Sequence, residues 1–150
     1  MDKSEEKALN DIANFGCHVL RVLEEEGHPP FCYSIGIKQS SGQPELIVAG
    51  LNPELAHSMI NQYNDRVRAG EYFLAGQRAS GFLEGFDIEF REVHSSHYRN
   101  YFGWGIWLYK GTDFKVLQAV WPTTKGKWPW DDHGSDWYQY VQPLLDEPVR

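Results

Sequence analysis

Pro44-Glu45-Leu46-Ile47-Val48-Ala49-Gly50-Leu51-Asn52-Pro53 joins the two patterns on which the fold turns. Its first half is an apolar run the length of one strand, bounded by turn-forming residues. Its last two residues open a helix: Asn52 can accept from the free backbone amides, and Pro53 at the first helical position has no amide hydrogen to leave unpaired. Downstream, Leu55, Met59, Tyr63 and Val67 recur every four residues, and Ala56 and Ile60 widen the stripe. This spacing predicts a helix over residues 53–69 seated on a sheet. Gly70 is expected to terminate it, and Arg66 and Arg68 suit the negative end of its dipole.

Upstream, Phe31, Tyr33, Ile35 and Ile37 alternate and are expected to share one face of a strand. The polar stretch 38–43 then connects this strand to the Leu46 run as a hairpin or as neighbouring strands. Further back, Ser4 reads as an N-cap for a helix over Lys7–Phe15 with Ala8, Ile12 and Phe15 on its apolar face, ended by Gly16. Cys17–Leu23 is β-prone.

Downstream, residues 71–83 carry no long period. Phe86, Ile88 and Phe90 alternate with Asp87, Glu89 and Arg91, which predicts a strand with one wet face. His94–Tyr101 reads as a short helix, and Lys115–Trp121 returns to the sheet. The elements do not repeat as βαβ units, so the expected class is α+β: a predominantly antiparallel sheet, barrel-like in one arrangement, with an N-terminal helix and one packed helix. The expected organisation is one domain over residues 1–150, with flexible ends at 1–3 and 146–150.

The chain has 150 residues and a formal charge of -7, and 15% of it is aromatic. A domain of this size buries roughly 68–70% of its extended surface, and the ring content supplies material for that core. The acidic balance disfavours nucleic acid, since Arg66/Arg68 and Lys125/Lys127 are too sparse for a phosphate-binding patch. No apolar run is long enough to span a membrane. Two cysteines, Cys17 and Cys32, and no secretion-like apolar start lead us to expect a reduced, cytoplasmic setting.

The densest ring cluster lies late, where Trp121-Pro122 and Trp128-Pro129-Trp130-Asp131-Asp132 bracket the turn 123–127. Rings and prolines this close together indicate an ordered segment. Trp104 and Trp107 are expected in the core, with Trp121, Trp128, Trp130 and Trp137 closing the end of the fold. The alternative is an aromatic docking surface, formed by Trp128 and Trp130 among Asp131, Asp132 and Asp136.

Gly16, Phe31-x-Tyr33-Ser34-Ile35-Gly36-Ile37, the Pro44–Leu51 run, and Gln118-x-Val120-Trp121-Pro122 followed by Trp128-Pro129-Trp130 occur in one order over residues 10–145. In that combination the chain resembles the bacterial DUF4262 family, whose name marks an unassigned role. Ala49 stands where that family is typically bulkier, and Cys17 where it often has an aromatic residue.

Several side chains could carry chemistry. Glu45 interrupts an apolar segment, so if buried it needs a cation or donors; Arg78 or Arg91 is the expected partner, in a polar clamp or a ligand site. His94-x-x-His97 would become a zinc site only if His133 or Asp87 joined it. Cys32, His18 and Glu45 can be drawn as nucleophile, base and orienting group, but an inert buried thiol is the ordinary state of such a cysteine. Gly81-Phe82-Leu83-Glu84-Gly85 and Gly103-Trp104-Gly105 lack a complete phosphate-binding fingerprint and read as turns beside aromatic residues. No catalytic residue, metal or cofactor is therefore assigned. The expected function is a noncatalytic interaction or regulatory domain that neutralises a basic protein partner. The alternative is a small flavin- or nucleotide-binding redox enzyme, with Arg78-Ala79-Ser80-Gly81 on the phosphate.

Overall fold

The computed structural model describes residues 1–131 and 136–149. Helix α1 runs over Lys3–Phe15, earlier than Ser4 as a cap would place it. Asp2 and Glu5 override Ser4 through a reciprocal box: Asp2 Oδ1 accepts from Glu5 N at 2.8 Å, and Glu5 Oε1 accepts from Asp2 N at 3.2 Å. Gly16, at φ +94°, ends the helix in the left-handed region and donates its N–H to Ile12 O. Ala8 and Ile12 are buried, whereas Phe15 faces outward.

Strands β1 (His18–Val22), β2 (Phe31–Ile35) and β3 (Glu45–Ala49) follow, and α3 (Pro53–Arg68) comes after them. A five-residue helix, α2 (Ile37–Ser41), stands between β2 and β3 where a polar turn was expected. It exists because the Glu45 carboxylate accepts the first two backbone amides of α2. Ile37 thereby leaves the strand face predicted for it and joins the opposite core.

In α3 the cap is as expected: Asn52 Oδ1 accepts from Glu54 N at 2.8 Å. Ala56, Met59, Ile60, Tyr63 and Val67 are buried, but Leu55 is 39% exposed. A strict four-residue spacing drifts against a 3.6-residue turn, so one end of the stripe must rotate off the sheet.

Strands β4 (Arg78–Leu83) and β5 (Phe86–Glu92) form a hairpin with a register shift between Ala79 and Leu83. Residues 95–97 make a 3₁₀ turn that runs into α4 (Tyr98–Tyr101) and α5 (Gly103–Tyr109). Helix α5 replaces the turn expected around Gly103 and Gly105. A Cβ on Gly105 would lie 2.8 Å from the Phe114 ring, so this glycine serves close packing rather than a bend. Strand β6 (Val116–Val120) and helix α6 (Asp136–Val141) complete the order.

The six strands lie in the order β1-β2-β3-β6-β5-β4. All pairs are antiparallel except β3 with β6, which run parallel with Glu45 opposite Val116. β1 and β4 are free edges, so the sheet is open and not a closed barrel. Its two faces carry separate cores. Cys32, Leu46, Val48, Ile88, Phe90 and Ala119 pack with α3, while Phe31, Tyr33, Ile35, Ile47 and Val116 pack with α1, α4 and α5. β3 and β6 are therefore buried on both sides, which explains their continuous apolar runs.

β5 is wet on one side only in part. Glu89 is buried, and the chain beyond α6 returns over its neighbours Gln118 and His94: Gln118 Nε2 donates to Pro143 O, Leu145 N donates to Gln118 Oε1, and His94 N donates to Leu145 O.

Candidate functional site

Glu45 is 1% exposed. Its Oε1 accepts from Ser34 Oγ at 2.8 Å and Ile37 N at 3.1 Å; Oε2 accepts from Lys38 N at 3.0 Å and from Tyr109 Oη. Burial pushes the carboxyl up from its ordinary range, and these donors pull against that shift. Burial and the adjacent Glu45 charge push the Tyr109 phenol up in turn. With its oxygens occupied and solvent shut out, Glu45 holds α2 onto the β2–β3 connection.

The arginines expected at Glu45 meet elsewhere. Arg78 Nε donates to Glu89 Oε1 at 3.0 Å, and Arg91 Nε to Glu89 Oε2 at 2.6 Å. Arg91 also reaches Asp146 Oδ2 at 3.1 Å. Each guanidinium lies over an indole, Arg78 at 4.3 Å from the Trp128 centroid and Arg91 at 4.2 Å from that of Trp130. The two indoles are parallel, with centroids 5.4 Å apart. Glu89, which the sequence reading did not single out, thus organises a layer of two arginines on two tryptophans. Its alternation with Phe86, Ile88 and Phe90 was visible, but the partners come from distant segments.

Trp128 is buried and Trp130 half-buried, and Asp131 Oδ2 accepts from Trp128 N at 2.9 Å. Asp136 is exposed at the start of α6, whereas Asp132 lies outside the described residues. The exposed indole nearby is Trp137, at 64%. Together with Leu51, Leu55, Leu83, Phe86 and Pro122 it lines an apolar groove of about 710 Å³. Glu84, Lys125 and Lys127 are the charged residues of its lining.

The groove has a fixed floor. Trp121 Nε1 donates to Ala49 O at 2.7 Å, Tyr138 Oη donates to Trp121 O at 2.6 Å, and Gln142 Oε1 accepts from Trp121 N at 2.9 Å. Such bonds preorganise the walls, which lowers the ordering cost of docking.

The drawn Cys32–His18–Glu45 group does not assemble. Cys32 Sγ contacts Pro53 O at 3.6 Å, His18 pairs with Asp11, and Glu45 serves α2. Burial pushes the thiols of Cys32 and Cys17 up to about 11 and about 12, so both are poor nucleophiles at neutral pH. His94 Nδ1 accepts from Ser96 N, and His97 Nε2 faces Glu147 O at 2.6 Å. Among the described residues no group of three His, Cys, Asp or Glu side chains could hold a metal; His133 lies outside them. Arg78-Ala79-Ser80-Gly81 lies within β4.

An open, mainly antiparallel α+β sheet with helices on both faces and an aromatic groove at one end defines the class. The chain belongs to the DUF4262 family, a domain of unknown function, which it matches over residues 11–135. Neither a curated protein nor a solved structure matches it. Among the described residues no helix is long and apolar enough to cross a membrane.

Proposed function

We propose that this protein is a noncatalytic cytoplasmic interaction domain that docks an apolar segment of a basic protein partner in the Trp137 groove and restrains that partner. The exposure of Trp137 beside a preformed apolar groove carries the reading. A solvated indole is costly to leave uncovered, and tryptophans flanking a pocket are the side chains that most often dominate binding energy. Leu55, rotated off the core, adds apolar surface to the same groove. The net charge of -7, to which the exposed Asp131 and Asp136 contribute, steers basic segments toward the protein and speeds their encounter. In the groove itself Lys125 and Lys127 outnumber Glu84, so docking there rests on apolar contact.

Reciprocal affinity capture at low and high salt, followed by titration of the recovered partner, tests this. Trp137→Ala is expected to cost about 2 kcal/mol, roughly thirtyfold in affinity, with thermal unfolding unchanged. Equal affinity of the wild type and the variant, or no partner at any salt, refutes the reading.

A further inference from the structure

A second cavity, of about 540 Å³, opens between α1, the start of β1 and α3, and shares no lining residue with the Trp137 groove. Two imidazoles line it, His18 and His57, and each is backed differently. His18 Nδ1 lies 2.7 Å from Asp11 Oδ2. Facing a carboxylate, the neutral form of the ring carries its proton on Nδ1, which leaves Nε2 as an acceptor. Burial raises the Asp11 carboxyl, but the bonds to His18 and Lys7 outweigh it and hold Asp11 below its ordinary value, so the partner stays ionised.

His57 Nδ1 accepts from Arg21 Nε at 2.9 Å. A guanidinium can only donate, so the neutral His57 ring must carry its proton on Nε2 and present it as a donor. Burial, with the Arg21 charge beside it, holds His57 below the ordinary imidazole range and so keeps it neutral. Neither Nε2 has a partner among the described residues. The cavity thus offers one acceptor and one donor from paired rings. That set fits a metal poorly, because His57 Nε2 is protonated.

Two further polar residues belong to the lining. Arg68 donates Nη1–H to Phe15 O and has no carboxylate within ion-pair distance among the described residues. Asn64, buried at 3% exposure, donates Nδ2 to Phe15 O at 2.8 Å, and its Oδ1 is unpaired. Lys7, already on Asp11, and Asp65 are the other charged groups of the lining.

We propose that this cavity binds a small hydroxycarboxylate. The ligand hydroxyl donates to His18 Nε2, and its carboxylate accepts from His57 Nε2–H and Arg68. Simple hydroxy acids and sugar acids share this chemistry, and two probes, glycolate and gluconate, separate them.

The test is titration of the ¹⁵N-labelled protein, read on the long-range ¹H–¹⁵N correlations of the imidazoles. Unliganded protein is expected to show His18 protonated on Nδ1 and His57 on Nε2. Glycolate or gluconate should shift both rings saturably, whereas acetate, without the hydroxyl, and glucose, without the carboxylate, should leave them in place. Arg68→Gln, on the surface, should weaken binding about tenfold, as expected for loss of one charged hydrogen bond, and His18→Gln should weaken it at least as much. Equal shifts with acetate, unchanged affinity in Arg68→Gln, or no response of either ring to both probes overturns the proposal.

Discussion

Replacing Glu45 with alanine removes the acceptor shared by four donors: the Ser34 hydroxyl, the Ile37 and Lys38 amides, and the Tyr109 phenol. Their fates differ. Lys38 and Tyr109 lie near solvent and can turn to water, whereas Ser34 and Ile37 are at most 1% exposed and cannot. Two orphaned buried donors at about 1–3 kcal/mol each set a gross cost of roughly 2–6 kcal/mol. Relief of a buried charge offsets part of it, which leaves about 3 kcal/mol net. For a urea slope of about 2 kcal/mol/M, the midpoint should fall by about 1.5 M. Glu45→Gln keeps one carbonyl acceptor but turns an NH₂ toward a donor, and should cost about half as much. Hydrogen exchange should rise selectively in residues 37–41, since α2 loses its cap. A Glu45→Ala midpoint within about 0.3 M of wild type, or unchanged exchange in α2, refutes the assignment of Glu45 as the clamp.

Three other perturbations probe separate parts of the fold. Gly50 sits at φ +86°, and a Cβ there would lie 2.2 Å from Val141 O, so Gly50→Ala should destabilise by about 3 kcal/mol or more; a melting temperature within a few degrees of wild type contradicts this. Glu89→Ala strips Arg78 and Arg91 of their common partner, and because both guanidiniums keep some solvent the loss should be about 1–3 kcal/mol, with a red shift of tryptophan emission as Trp128 and Trp130 loosen. The lowered Asp11 carboxyl contributes stability that is fully present above its unfolded value near ~4 and is lost as pH falls through the lower folded value. Asp11→Asn should therefore flatten the acid limb of a stability–pH profile by about 0.5–1 kcal/mol, and identical limbs for both proteins refute the pairing with His18.

Local pattern sufficed where one segment decides its own fate. Asn52-Pro53 and the Ala56–Val67 stripe define α3, Gly16 ends α1, and the continuous runs of β3 and β6 mark strands buried on both faces. It failed where the deciding partner is distant. Helix α2 depends on Glu45, the setting of Glu89 depends on two arginines that lie over Trp128 and Trp130, and α5 depends on Phe114 packing against Gly105. The candidate site was legible to the same extent. Glu45 stood out as a carboxylate in an apolar run, and its burial is real, but its donors are backbone amides and hydroxyls that composition does not flag. Arg78 or Arg91 was expected as its partner, and both pair with Glu89 instead. The aromatic end was visible as a density of rings, while what separates Trp128, under Arg78, from Trp137, in solvent, is tertiary packing. The Asp11–His18 and Arg21–His57 pairs leave no local signal, since their members belong to three different elements.

Photo-crosslinking tests the docking claim most directly. A benzophenone side chain is placed in turn at Trp137, in the groove, and at Tyr72, an equally exposed ring that lines a different surface. The account predicts that a basic partner is captured from position 137 and not from position 72, with the yield falling as salt rises. Capture from position 72 alone, or from neither position, contradicts it.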